Sequence, residues 1–484
     1  MKAGLFLSLA LLVAAAASAP GQTRSSVSTT EDPGLPSLDR KLDEVQAKLA
    51  LRPGDPALAL EMALLCAKKA KVLFSEPRGG SAALAYLEDA VDFAGRCLAA
   101  EPENSEAHRV RGLAYFRLGE IEKAGKEADW LLAKARDDPA GDILRGEILF
   151  KEYLRKRGRG ELTKALRFRL TGKIRQHFHR ATLLDKKNAL PFRRLGDLAV
   201  WEGDSRTALD LYAEGLARDP RNGAPLAWIL ANYAPERSLR MLNRALRRFA
   251  ELGRLPPERS SSLLWEAGRM AFLAGKDEVC RTHMRKVLVY HPEWTHALFY
   301  LGLVEWRQGR PEEATAAFVK IASRRAEDLA EALGKSGEAG TGYAGWISQL
   351  ASLAAKRGDL ASSRDLNHAL ALFRDTPDDW NNYAFLCRET GRFEESWEAY
   401  EAALDLAPSD PQLLNDAAVI LQYHLKRDIQ KARSMYERAI REAKRVLKDS
   451  KASPAARKRA RQALSDAHGN LAKLGGKKAG HGTG

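Results

Sequence analysis

The chain has 484 residues, 45% of them hydrophobic, with 78 Lys and Arg against 63 Asp and Glu for a formal net charge of +15. Its four cysteines exclude a disulfide framework at this length, and past the N-terminus no stretch is apolar and long enough to span a bilayer. Length alone suggests several globular domains, but small residues recur on a fixed beat: Gly112 and Gly146, Gly268 and Gly302, Ala384 and Ala418 are each 34 apart. That period marks a helical solenoid, one quasi-linear body rather than separate cores.

Met1 and Lys2 give a minimal positive start, Leu5 to Ala17 is an apolar run, and AAAASA supplies small residues at cleavage spacing. Residues 1–19 read as a secretory signal peptide, so the mature protein is expected in the periplasm or secreted, soluble after cleavage. The alternative is an uncleaved anchor, because Ala3 to Gln22 carries no charge. No Cys ends the apolar run, which argues against a lipoprotein. Residues 20–37 (PGQTRSSVSTTEDPGLPS) are a disordered linker by composition. Leu38, Leu42, Val45 and Leu49 then share one helical face, predicting a capping helix over 38–54 that stops at Arg52-Pro53-Gly54.

The repeats occupy 55–446, about ten in number and some degenerate. First helices are predicted to start at Ser105, Pro139, Ala189, Gly223, Ser261, Thr295, Tyr343, Pro377 and Pro411. Steps of 50, 38 and 48 residues instead of 34 imply insertions of 16, 4 and 14, which a stack tolerates between or within its helix pairs. The segment from Asp55 to Asn104 reads as another long repeat with an extended loop, SEPRGGS. In each first helix a large residue precedes a bare backbone, as in Leu195-Gly196 and Leu301-Gly302, so a partner helix can approach closely. In each second helix Ala208 and Tyr212, or Ala314 and Phe318, stand one turn apart. Pro220, Pro292 and Pro408 end the pairs. Ser453 is a good N-cap before Pro454, and Ala456, Ala460, Leu464, Ala467, Leu471 and Leu474 form a stripe, so 453–474 is a second capping helix. Residues 475–484 are a flexible basic tail.

From Trp380 to Pro408 the chain reads WNNYAFLCRETGRFEESWEAYEAALDLAP, close to the pattern W-x2-L-G-x2-Y, A-x3-F, P. Over most of its length it resembles the tetratricopeptide repeat family. The resemblance implies an all-α fold, a right-handed superhelical solenoid of antiparallel helix pairs, whose first helices line a concave groove for a protein partner. Groove positions implied by the family are Arg193 and Trp201, Trp265 and Arg269, Phe299 and Arg307 with Trp306 beside it, Asn381 and Arg388, then Asn415 and Tyr423. Arginine and aromatic residues are the material of interface hot spots; the competing reading of Trp201 and Trp306 is packing between repeats. Family members that clamp a carboxylate or hold a peptide by an asparagine ladder repeat Lys or Asn in the groove. The corresponding residues here include Arg194, Glu266, Tyr300 and Ser348, so neither device is assembled, and the fold does not name the partner.

Charge is uneven. Residues 151–180 and 444–484 each hold 11 basic and 2 acidic residues, +9 apiece, which leaves 15 minus 18, near neutrality, for the rest. Arg155, Lys156, Arg157 and Arg159 lie in the longest insertion, where a loop or extended helix would project them. This supports an alternative function, an envelope adaptor for an anionic polymer or membrane surface, for example in polysaccharide export or envelope assembly; nucleic acid is not expected as partner.

No catalytic constellation emerges. Gly340-x-Gly342-x-x-Gly345 follows no strand and reads as a hinge, and Gly334-Lys335-Ser336 lacks the upstream glycine of a phosphate loop, having Leu329 there. Cys280 and His283, with His291 and His296 nearby, have loose metal-like spacing, and His177 and His179 fall on different faces of a helix. Cys280 and Cys387 read as buried small hydrophobes; Cys66 and Cys97 read as about a turn too far apart to bridge, with a disulfide between them in an oxidising compartment as the alternative. The protein is therefore expected to be a non-enzymatic scaffold without metal or cofactor. Intact-mass measurement of the exported chain should place the new N-terminus after Ala17, since Pro20 is unfavourable just behind a cut at Ala19; a chain retaining Met1 would mean the anchor.

Overall fold

The computed structural model describes residues 35–76, 79–253 and 256–475. The signal peptide, most of the linker and nearly all of the basic tail lie outside them. Every regular element among the described residues is helical, and the chain divides into two units, Met1–Ser260 and Ser261–Gly484.

In the first unit α1 (Leu35–Leu51) buries Leu38, Leu42, Val45 and Leu49 against α2 (Pro56–Leu73), which pairs with α3 (Gly80–Ala100). The Asp55 carboxylate accepts from the amides of Ala57 and Leu58, and Pro56 opens α2 where its missing N–H costs nothing. Hairpins follow: α4 (Ser105–Leu118) with α5 (Ile121–Lys134), α6 (Pro139–Gly158) with α7 (Lys164–Leu184), α8 (Ala189–Glu202) with α9 (Ser205–Arg218). α10 (Gly223–Asn232) is short and buries only Pro225 and Ile229. Its successor α11 (Pro235–Leu252) packs mainly on α9, so this repeat is degenerate.

The second unit begins with α12 (Ser261–Leu273) and α13 (Asp277–Tyr290), then α14 (Thr295–Arg307) and α15 (Pro311–Ala322). An extra helix α16 (Ala326–Lys335) precedes the pair α17 (Glu338–Lys356) and α18 (Leu360–Arg374). α19 (Pro377–Glu389) pairs with α20 (Phe393–Leu406). α21 (Pro411–Val419) runs into a π turn over Ile420–Leu425 before α22 (Ile429–Lys448), and α23 (Pro454–Gly475) covers both α21 and α22. Ser453 caps α23 by accepting from the Ala456 amide at 3.1 Å.

The two longer insertions resolve into helix rather than loop. Both helices of the α2–α3 pair are long, 18 and 21 residues, so most of the added length of this repeat is helical. The 16-residue insertion lengthens α6 and α7 to 20 and 21 residues, against 14 in each neighbouring helix. The 14-residue insertion supplies α16 and starts α17 at Glu338, five residues ahead of the expected Tyr343. Gly340, Gly342 and Gly345 are thereby helical, which corrects the hinge reading. A Cβ on Gly340 would stand 2.2 Å from the Leu333 carbonyl oxygen, so the glycine there permits a tight turn between two helices.

The beat of small residues is a steric requirement inside each hairpin. A Cβ on Gly146 would lie 2.8 Å from the Phe178 ring, on Gly196 2.6 Å from Tyr212, on Gly268 2.6 Å from the Met284 methyl, and on Gly302 2.7 Å from Phe318. Leu195 is buried beside this contact, whereas Leu301 is only half-buried. Gly302→Ala is expected to lower stability by about 1–2 kcal/mol in thermal unfolding, because overpacking against an enclosed ring outweighs the gain in helix propensity. Gly345→Ala, with open space at its Cβ, should instead raise stability by up to about 1 kcal/mol.

Candidate protein interface

The first helices of three repeats of the second unit carry one connected set of aromatic and arginine side chains, most of them half-buried. On α12, Trp265 stacks on Trp294 at 6.2 Å and leans on His296 at 5.8 Å. The Arg269 guanidinium lies 5.8 Å from the Trp265 ring centroid and donates from Nε to Glu266 at 2.9 Å. Burial pushes the Glu266 carboxyl above its usual range and Arg269 pulls it back. The Trp265 indole N–H is buried with no hydrogen-bond partner among the described residues. From α12 the set continues through Phe272, buried edge-on against Tyr300 of α14 at 5.2 Å and Tyr343 of α17 at 6.2 Å. Tyr343 meets Trp346 at 5.2 Å. Arg307 lies 4.2 Å from the Phe272 ring and is paired with Asp277.

Neither the Tyr300 nor the Tyr343 hydroxyl makes a hydrogen bond among the described residues. Burial raises the pKa of both; Arg269 lowers that of Tyr300 and Arg307 that of Tyr343, so each hydroxyl sits within the field of a guanidinium. The face thus offers flat aromatic area, two phenol hydroxyls and two guanidinium groups whose charge Glu266 and Asp277 already balance. Such a surface suits a largely apolar protein segment with spare carbonyl acceptors better than a bare anion.

Of the residues expected in the groove, Trp265, Arg269 and Arg307 are brought together here. Phe299 is not: it is 2% exposed, enclosed by Phe318, Tyr300 and Tyr343, and is core. Its neighbour Tyr300 is the accessible one, because one step along a helix turns a side chain by about 100°. Tyr300 occupies the same register as Glu266 and Arg194, so its place was readable from the 34-residue spacing. Trp306 is half-buried without a ring partner. Later in the unit, Asn381 is half-buried with its Oδ1 unbonded, and Arg388 is tied to the adjacent Glu389 at 2.9 Å. Asn415, 3% exposed, bonds Asp416 and accepts from Asn470 of α23, which removes it from any surface; Tyr423 donates to Asn470 at 3.3 Å.

In the first unit Arg193 is half-buried, with its Nε unbonded. Trp201 stacks on Phe150 at 4.9 Å and Tyr153 at 5.6 Å with Arg157 over it, so it is packing between repeats, as the competing reading had it. Arg155, Arg157 and Arg159 are exposed and Lys156 is half-exposed at the end of α6 and just beyond it.

Other chemistry is accounted for structurally. His177 bonds the buried Asp142 at 2.8 Å. Burial lowers the His283 pKa to about 4. Among the described residues no group of three or more His, Cys, Asp or Glu could hold a metal ion. All four cysteines are free and buried, and burial pushes Cys66 and Cys280 up to about 12 and Cys387 to about 11.

Stacked helix hairpins that present such a face from their first helices define a helical-repeat protein. The chain carries tetratricopeptide repeats: that family matches residues 281–330 and 380–410. No curated protein matches the sequence. Among solved structures, yeast Tom70 is similar at 16% identity over 91% of this chain and 94% of its own, with a TM-score of 0.24. The type IV pilus biogenesis factor PilW is similar at 15% identity over 47% and 92%, TM-score 0.24, and MamA at 18% over 40% and 97%, TM-score 0.23. At these scores nothing of what those proteins do passes to this chain.

The thiols give a direct check. A disulfide reagent at pH 8 should find no reactive thiol in the native protein and four after unfolding without reductant. Two missing after unfolding would mean that Cys66 and Cys97 pair when the protein is exported.

Proposed function

We propose that this protein is an exported scaffold of the cell envelope or secreted space that captures another protein on the aromatic and arginine face of its second unit. Tetratricopeptide repeats are protein-binding modules, and the observation that carries the choice of face is the run Trp265, Arg269, Tyr300, Tyr343 and Trp346. These are Trp, Tyr and Arg side chains left half-exposed, with two hydroxyls and a buried indole N–H unused. Export rests on residues 1–19 alone. The partner is recognised by large rigid contact area and carbonyl acceptors, because the guanidinium groups on the face are already neutralised.

A photo-crosslinking residue at position 346 should capture the partner in the native host, and the purified pair then allows affinity to be measured. Arg269→Ala alone would leave the Glu266 carboxylate half-buried and unpaired, so the cleaner variant is Glu266→Gln with Arg269→Gln. This double variant should change stability by less than about 1 kcal/mol and weaken binding by about 1–4 kcal/mol. Undiminished binding in both this variant and Tyr300→Ala would show that the partner docks elsewhere.

A further inference from the structure

The α6–α7 hairpin of the first unit differs from its neighbours in length, charge and exposed apolar area. Its helices run six or seven residues beyond the 14 of α5 and α8, which at 1.5 Å per residue makes a prong about 10 Å long. The prong is rigid. Tyr153 and Leu170 are buried within it, Leu162, Leu166 and Trp201 pack around them, and Thr163 caps α7 by accepting from the Leu166 amide at 3.2 Å.

Most of its cations have no counter-charge among the described residues. Of the 11 basic residues in 151–180, Arg159, Arg175 and Arg180 approach Glu161, Glu202 and Asp142, while Lys151 and Arg157 lie over Phe116 and Trp201. Arg155, Lys156, Lys164, Arg167, Arg169 and Lys173 form no side-chain hydrogen bond or ion pair among the described residues. Between Arg167 and Arg169 stands Phe168, 82% exposed on the second turn of α7, and Leu154 of α6 is also exposed.

We propose that this prong docks on an anionic phospholipid surface, with Phe168 inserted at the headgroup level and the six unpaired cations over the lipid phosphates. The charge selects an anionic partner, and the apolar residues select among anionic partners. A soluble acidic polysaccharide would engage the cations and gain nothing from Phe168. A protein would need a cleft to receive the ring, whereas the fluid interface of a bilayer accepts an aromatic ring and neighbouring guanidinium groups together. Each cation near an anionic leaflet is worth about fivefold in partition, and a fully inserted aromatic ring about tenfold or more. This contact does not depend on the protein-binding face.

The test is flotation of the full mature chain with phosphatidylcholine vesicles, with and without phosphatidylglycerol, across a range of salt. The wild type should float only with phosphatidylglycerol, less so as salt rises. Phe168→Ser should lower the partition about tenfold, and Arg155→Gln, Lys156→Gln, Arg167→Gln and Arg169→Gln together more than a hundredfold, with unfolding temperatures little changed because none of these side chains is buried. Failure of the wild type to float at low salt overturns the proposal. So does binding that dextran sulfate matches with the same sensitivity to the four-fold variant and none to Phe168→Ser, which would assign the prong to a soluble anionic polymer. Flotation unaffected by either variant would place the membrane contact elsewhere on the chain and overturn it as well.

Discussion

The contact between a bare backbone on one helix and a ring on the next decides which faces of this protein are core and which are surface. At Gly196 and Tyr212, and again at Gly302 and Phe318, the ring occupies the space where a Cβ would be. Ala384 and Ala418 hold the corresponding places later in the chain and are fully buried. Once that glycine is fixed inward, every other residue of the first helix is placed by its angle from it. Phe299 is three positions before Gly302, about 60° from it around the helix, and is buried; Tyr300 is two before, about 160° away, and is turned outward. Glu266 stands in the same relation to Gly268 as Tyr300 to Gly302. The half-exposed face of the second unit is thus a by-product of hairpin packing, available for whatever side chains the register puts there.

This also explains what was legible in the sequence. The helices starting at Ser105, Pro139, Ala189, Gly223, Ser261, Thr295, Pro377 and Pro411 begin where the 34-residue register puts them, because the small residue that sets the beat is under direct steric constraint. Insertions carry no such constraint, and their lengths do not say whether they extend a helix or a loop. The signal for helix lay in apolar spacing that never lapsed: Phe150 and Tyr153 on one side, Leu162, Leu166, Leu170 and Ile174 on the other. Gly340 could not be read at all, since its reason is the Leu333 carbonyl, a contact made only when α16 folds back on α17. Placing the groove needed angular precision finer than one residue, and the error at Phe299 was one residue.

Buried carboxylates show a second constraint, the joining of successive helices. Glu147 receives both ends of the Arg194 guanidinium at 2.5 and 2.8 Å, and Glu127 takes His108 and Arg111. Glu305, 1% exposed, is held between Arg285 and Arg310. A carboxylate so enclosed is strongly unfavourable without its partner, so each of these pairs penalises any slip of one helix along the next. These three are satisfied structural ions and do not point to acid–base chemistry.

The same ledger of partners gives the basic surplus its meaning. Arginines are abundant throughout, but in the repeats most of them answer a carboxylate on a neighbouring helix or turn, as Arg269 does for Glu266 and Arg307 for Asp277. On the α6–α7 prong six cations answer none, so the formal excess there is real local potential rather than a count. Neutralised guanidinium groups on an aromatic face act at contact distance and are little affected by salt; unanswered cations on a protruding prong act over roughly a Debye length, about 8 Å at physiological ionic strength, and fade as salt rises. The two surfaces therefore differ in sensitivity to ionic strength, a physical distinction that follows from where the carboxylates are and not from the number of arginines.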